Sequence, residues 1–359
     1  MAAQRIGIAG AGVLGRLLAV QLSAAGHTVQ VFDPASGPGT GPDPRAQSGS
    51  QAAGWTAAGM LSPVAELERA GSEVFALGLR SCQLWPQIVQ ALGQSVALNM
   101  QGSLLLAHRS DAGAAQRVVG LLQAKAEAAY QPQPLTLPQL RELEPAIQGP
   151  ALAWLLPCEG QIHPIQAMQA LAAQGSAQGV QWHWNSRVTQ VEAGTLMVTS
   201  VRPDVRHAFD HVFDVRGVGA KPELPVRGVR GEVFWLHAPG VPLHRPVRLL
   251  HPRHSIYMVP RPGDIIVVGA SEIESEDRSP VSLRSTLELL SAAHSAIPAL
   301  AEARLVHTET NLRPALPDNL PLLQHLRHGP GKTEINGLFR HGWLIAPALV
   351  EQALQELSL

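Results

Sequence analysis

The chain has 359 residues, 45% of them hydrophobic and 15% charged, with a formal net charge of −1. That length allows a large core and two interleaved domains, while the near-neutral charge supplies no footprint for a nucleic acid or an anionic membrane surface. Two cysteines, Cys82 and Cys158, are too few for a disulfide framework or a thiolate zinc site and suit a reducing, cytoplasmic setting.

From Gln4 to Asp33 the sequence reads as strand, glycine turn, helix and second strand. An apolar run at Ile6–Ala9 leads into Gly10-Ala11-Gly12-Val13-Leu14-Gly15, then Leu14, Leu17, Leu18 and Leu22 recur at helical spacing, and Thr28–Phe32 closes on Asp33. An acid about 20 positions past the glycines completes a dinucleotide-binding fingerprint. Gly10 permits the tight turn, Gly12 lets backbone approach a pyrophosphate and Gly15 lets helix and strand pack closely. The helix N-terminus favours phosphate, and Asp33 suits a ribose hydroxyl.

Pro34–Gly54 turns to Ser, Gly, Pro and Gln, and reads as a long loop, a flap beside the cofactor. Helical periodicity runs over Glu66–Leu92 and Ala112–Ala129, with a strand at Ser103–Ala107, and His163-Pro164 signals another helix start. Strands then dominate, at Val180–Trp184, Arg187–Glu192, Thr195–Val201, His211–Val215, Glu232–His237, Ser255–Pro260 and Asp264–Gly269, the last two forming a hairpin. A helix follows at Ser282–His294, then a loop-rich Asn311–Gly342 and a closing helix over Pro347–Leu357. Gly329–Thr333 imitates the end of a phosphate-binding loop, but Leu326 stands where its first glycine belongs, so it reads as a turn. Fifteen histidines form no tight cluster, and no metal site is expected.

Seven stretches in this order resemble the FAD-dependent D-amino-acid oxidase (DAO) superfamily, most closely its glycine oxidases of thiamine biosynthesis. They are Gly10–Gly15; Ala57-Ala58-Gly59-Met60-Leu61 with Glu66; Gly160–Pro164; Arg227–Glu232; Tyr257–Arg261 with Val268–Ser271; Leu312-Arg313-Pro314 with Pro317, Asp318 and Pro321; and Phe339–Pro347. The resemblance implies an α/β fold: a Rossmann-like, glutathione-reductase-like FAD-binding domain of the DAO type, with an interleaved antiparallel-sheet α+β substrate domain. It places the first in residues 1–85, 150–222 and 310–359, and the second in 86–149 and 223–309.

It further implies non-covalent FAD. Gly10, Gly12, Val13, Leu14, Gly15, Asp33 and Pro34 would hold the adenosine and pyrophosphate, Val188 would meet the adenine, and Ala53, Gly54, Ala58, Gly59 and Met60 would line the route to the flavin. Leu338, Phe339, His341, Gly342, Trp343 and Leu344 would wrap its ring edge. Arg313, Tyr257 and Arg340 fall where the family meets substrate, and an arginine fork suits an amino-acid carboxylate. Glu272 stands at a wall position that is apolar in some glycine oxidases. Facing the pocket, it would repel a second carboxylate or attract a cationic tail; facing water, it would do neither. His341 replaces an asparagine and Asn311 a glycine.

The activity implied is oxidative deamination of a small amino acid or amine, such as glycine, sarcosine or a D-amino acid. Hydride passes to flavin N5, and the products are imine or 2-oxo acid, ammonia and H2O2. The alternatives are a dehydrogenase that uses an acceptor other than O2, and a catalytically silent FAD-binding subunit. The expected partners are small molecules and O2, without nucleic acid or membrane, and the family's homotetramers make a homo-oligomer the expected assembly.

Overall fold

In the computed structural model, residues 2–39, 52–199, 204–251, 255–326 and 330–359 are described. Most of the Pro34–Gly54 loop, at 40–51, lies outside them, as do Val201 and Gly329.

A six-stranded sheet carries the N-terminal motif. Its order is Leu322–Leu326, Gly331–Asn336, His211–Asp214, Arg5–Ala9, Thr28–Phe32, Gln181–His183. All neighbours are parallel except the first pair, so an antiparallel strand closes one edge. The inner strand Arg5–Ala9 is apolar and buried after Arg5, as a strand covered on both faces should be. Three helices pack together beside it: Val13–Ala24, Pro164–Ala177 and Gly342–Leu357.

The second layer is an eight-stranded, mostly antiparallel sheet. It runs Arg304–Ala315, Arg227–His237, Ile265–Gly269, Ser255–Arg261, Val247–Leu250, Ser103–Ala107, Leu152–Leu156, Gln133–Leu135. Helix Leu283–Ala296 covers one face with Leu289, Ala292, Ala293 and Ala296. Leu152–Leu156 belongs to this sheet although it follows the boundary expected at residue 150.

Several expectations change. Glu66–Leu92 is two helices, Pro63–Glu66 and Ser72–Ala91, broken around Gly71. The segment read as loop-rich holds the last five residues of the strand Arg304–Ala315 and two further strands, Leu322–Leu326 and Gly331–Asn336. Pro314 is tolerated there because it sits in an edge strand, where the missing N–H costs little. The final helix starts at Gly342 and contains Pro347. The carbonyl that Pro347 cannot reach, that of Trp343, accepts instead from Trp85 Nε1 at 2.9 Å, and Ala348 N–H turns to Ser81 Oγ at 3.1 Å. No helix among the described residues is long and apolar enough to cross a membrane.

Candidate active site

The glycine turn is pinned from two sides. Gly10 has φ +107°, and a Cβ there would stand 2.8 Å from the Val215 carbonyl oxygen. A Cβ on Gly15 would stand 1.9 Å from the Gly10 carbonyl oxygen. Arg16, buried in the same helix, donates through Nε to Ala11 O at 2.7 Å, through Nη1 to Met168 O at 2.6 Å and through Nη2 to Pro38 O at 2.9 Å. Burial pushes its guanidinium down to about 10, against the pull of Asp33. Asp33 accepts Ala11 N–H at 2.6 Å on one oxygen and Ala35 N–H at 2.8 Å on the other.

One cavity of about 430 Å³ starts at this turn and reaches the eight-stranded sheet. Gly10, Gly12, Val13, Leu14, Asp33, Pro34, Val188, Ala53, Gly54, Ala58, Gly59 and Met60 all border it, as do Leu338, Phe339, His341, Gly342, Trp343 and Leu344. Gly15 does not border it. Its place is beneath the turn, where the helix packs against Gly10. The Val188 carbonyl accepts from Arg216 Nη1 at 3.2 Å, and Trp343 Nε1 donates to Gly54 O at 3.0 Å, which ties the final helix to the short helix Ala53–Thr56.

The final helix presents its N-terminus to the cavity. Its first N–H groups lack helical acceptors, and among the described residues nothing beyond its chain neighbours stands within 4 Å of where a Gly342 Cβ would lie.

A charged cluster occupies one wall. Glu66, buried at the end of its short helix, takes Arg340 Nε at 2.9 Å and Nη2 at 2.7 Å on Oε2, together with His341 Nε2 at 3.0 Å. Its other oxygen accepts from Arg248 Nη2. Burial works against the Glu66 carboxylate, but Arg248, Arg340 and His341 together hold it well below the usual range. Arg340 also reaches Glu272 Oε2 at 3.3 Å through Nη1.

Arg313 and Tyr257 stand above two glycines. A Cβ on Gly231 would lie 2.5 Å from Arg313 Cζ, and one on Gly269 would lie 2.5 Å from the Tyr257 hydroxyl. Gly269 pairs directly with Tyr257 across the hairpin, so the strands leave room for both side chains on one face. Arg313 Nη1 donates to Ser271 O at 3.0 Å and Arg230 O at 3.3 Å. Among the described residues its guanidinium has no carboxylate partner. Desolvation lowers it, with Tyr257 and Glu272 opposing. The Tyr257 hydroxyl has no hydrogen-bond partner among the described residues, and burial raises its phenol.

All four expected substrate-side residues, Arg313, Tyr257, Arg340 and Glu272, therefore meet in one cavity. Arg248 was missed. It stands directly opposite Tyr257 on the neighbouring strand, and recognising Val247–Leu250 as a strand would have placed it on the same face. Glu66 was legible only as part of a motif. Its role became visible once Arg248 and Arg340 were in place.

These residues fit a dinucleotide cofactor. The Gly12 and Gly342 positions leave backbone open to the cavity. In addition, the Nδ1 of cavity-lining His341 is buried without a hydrogen-bond partner among the described residues, while its Nε2 is taken by Glu66. The profile of the family of FAD-dependent oxidoreductases called DAO matches residues 5–353. The chain belongs to this family. FAD is its cofactor. A Rhizobium etli protein described as a thiamine biosynthesis oxidoreductase, ThiO, is 36% identical over 98% of this chain and 96% of its own length. Glycine oxidase of Geobacillus kaustophilus is 26% identical over 95% of this chain and 89% of its own. Its crystal structure superposes with a TM-score of 0.79 at 25% identity, covering 97% of this chain and 93% of that one. Glycine oxidase of Bacillus cereus, at 20% identity, shares the fold with a TM-score of 0.83 over 99% of this chain and 95% of that one.

Proposed function

We propose that this FAD-dependent enzyme oxidises the C–N bond of a small amino acid or amine, with glycine, sarcosine or a D-amino acid as substrate and O2 as acceptor. The observation that carries this reading is Arg313, a guanidinium that among the described residues has no carboxylate partner, beside the Tyr257 hydroxyl in a cavity continuous with the glycine turn. A substrate carboxylate supplies the missing counter-ion through charge-assisted hydrogen bonds, and the Tyr257 hydroxyl adds a donor. The glycine floor makes room for both side chains and the carbonyls of Ser271 and Arg230 hold the Arg313 guanidinium, so a carboxylate bound to it sets the orientation of the substrate's Cα.

Bound FAD supplies the acceptor for the Cα hydride. The substrate loses two electrons and becomes an imine, which water hydrolyses to a 2-oxo acid and ammonia, or methylamine where the substrate is sarcosine, and O2 gains those electrons with two protons to become H2O2. Backbone of the turn after Gly10, Val13 and Leu14 at the first helix start and Asp33 would hold the adenosine and pyrophosphate. Gly342–Leu344 at the final helix start would face the flavin ring, where negative charge develops. Glu66 keeps Arg340 and Arg248 in place and, together with Glu272 on Arg340, offsets their charge, so that Arg313 is left to bind substrate. No carboxylate or imidazole is needed as a base if the amine arrives neutral.

Similarity to the Rhizobium etli protein supports a role in thiamine biosynthesis. The two free cysteines are compatible with the cytoplasm. The test is turnover of glycine, sarcosine and D-alanine with peroxide and 2-oxo acid both measured. Stoichiometric peroxide supports the reading, whereas turnover only with an artificial acceptor would make the enzyme a dehydrogenase.

A further inference from the structure

Glu272 follows the strand Ile265–Gly269 and stands on the cavity wall with its side chain 40% exposed. One oxygen lies 3.3 Å from Arg340 Nη1 and the other 3.8 Å from Arg69 Nη1. Arg340 has already given Nε and Nη2 to Glu66, so Glu272 takes a further side of that guanidinium. Arg248 is held by Glu66. Arg278, on the same wall, is engaged as well. A second substrate carboxylate would thus find Arg340 already bound to carboxylates and would meet the charge of Glu272. The same carboxylate gives a cationic tail little purchase, since two guanidiniums already face it.

Resting on the amine-oxidase reading, we propose that Glu272 makes this pocket selective for monocarboxylate amines: it occupies Arg340 and Arg69 and rejects a second carboxylate. The pocket then offers one anion site, Arg313. Dicarboxylate amines such as D-aspartate and iminodiacetate are excluded by charge, whatever their size.

The test is Glu272→Gln, which keeps the shape and removes the charge, with Glu272→Met as a second variant should the first not fold. Acetate and malonate are titrated into the FAD-loaded protein and binding is read from the flavin spectrum, which needs no turnover. The expected result is at least a tenfold fall in the malonate-to-acetate ratio of dissociation constants. The ratio of kcat/KM for iminodiacetate to that for glycine should rise by a similar factor. Adding Arg340→Met should abolish both gains, because that guanidinium is the second anion site which Glu272 conceals. A malonate-to-acetate ratio unchanged within twofold overturns the proposal. So does a variant that loses affinity for a diamine while that ratio stays fixed, for then Glu272 recruits a cationic tail. Should no amine be turned over, the amine-oxidase reading fails, yet the binding ratio still decides the role of Glu272.

Discussion

Replacing Glu66 by glutamine strips the anion from between two guanidiniums. Glu66 is buried, and the side chains of Arg340 and Arg248 are only 17% and 18% exposed. Removing one member of a buried ion pair costs about 3–5 kcal/mol, because the surviving charge stays desolvated. The isosteric amide keeps some hydrogen bonds, so about 3 kcal/mol is the working figure. Unfolding entropy scales to about 0.75 kcal/mol per K for 359 residues, so Glu66→Gln should lower Tm by about 4 °C near neutral pH. The sign with pH follows from the depressed pKa. A carboxyl held below its unfolded value, about 4.3, contributes stability that is present above that pH and lost as pH falls through its folded pKa. The Tm gap between wild type and variant should therefore be full at pH 7 and shrink below about pH 4. Glu159, buried with Ala65 N–H and Ser103 Oγ on its oxygens, is shifted upward by burial and acts with the opposite sign. It is common to both proteins, so it cancels in the difference. Scanning calorimetry of both at several pH values measures the gap, and a gap under about 1 °C at pH 7, or one that widens in acid, would refute the reasoning.

Arg313→Met removes the charge-assisted contact to the substrate carboxylate, worth about 1.5–3 kcal/mol, so kcat/KM should fall roughly 10- to 150-fold, mostly through KM, in steady-state assays. Gly15→Ala drives a Cβ to 1.9 Å from the Gly10 carbonyl, a backbone atom that cannot turn aside. FAD affinity, measured by fluorescence titration, should fall at least about tenfold, since the turn must shift. Burial raises the Cys82 thiol and pushes Cys158 up to about 12, so both should react far more slowly with a disulfide reagent at pH 8 in the folded protein than in urea.

The N-terminal motif was legible because its signals are local. Each glycine, the helical spacing and the terminal acid lie within one βαβ unit, and each has its own steric or electrostatic reason. The charged wall was not. Glu66, Arg248 and Arg340 lie 182 and 274 positions from one another as counted from Glu66, and only the meeting of the two sheets brings them together. The strand carrying Arg313 was hidden for a different reason. Asn311, Pro314, Pro317 and Pro321 carry breaker signals, yet Arg304–Ala315 lies at a sheet edge with one neighbour, where a proline does not break a ladder. Arg16 carried no signal either, since a charged residue in a helix reads as exposed until the carbonyls of Met168 and Pro38 appear around it.

The central claim is that a small amine delivers electrons to the FAD of this cavity and that O2 removes them. The most direct measurement is anaerobic: record the flavin band near about 450 nm and add glycine, sarcosine and D-alanine in turn, then admit air. Bleaching by at least one of them is expected, with recovery of the band and release of peroxide when air enters. A protein that binds FAD but keeps its colour with every amine, while carboxylates still perturb its spectrum, would contradict that claim.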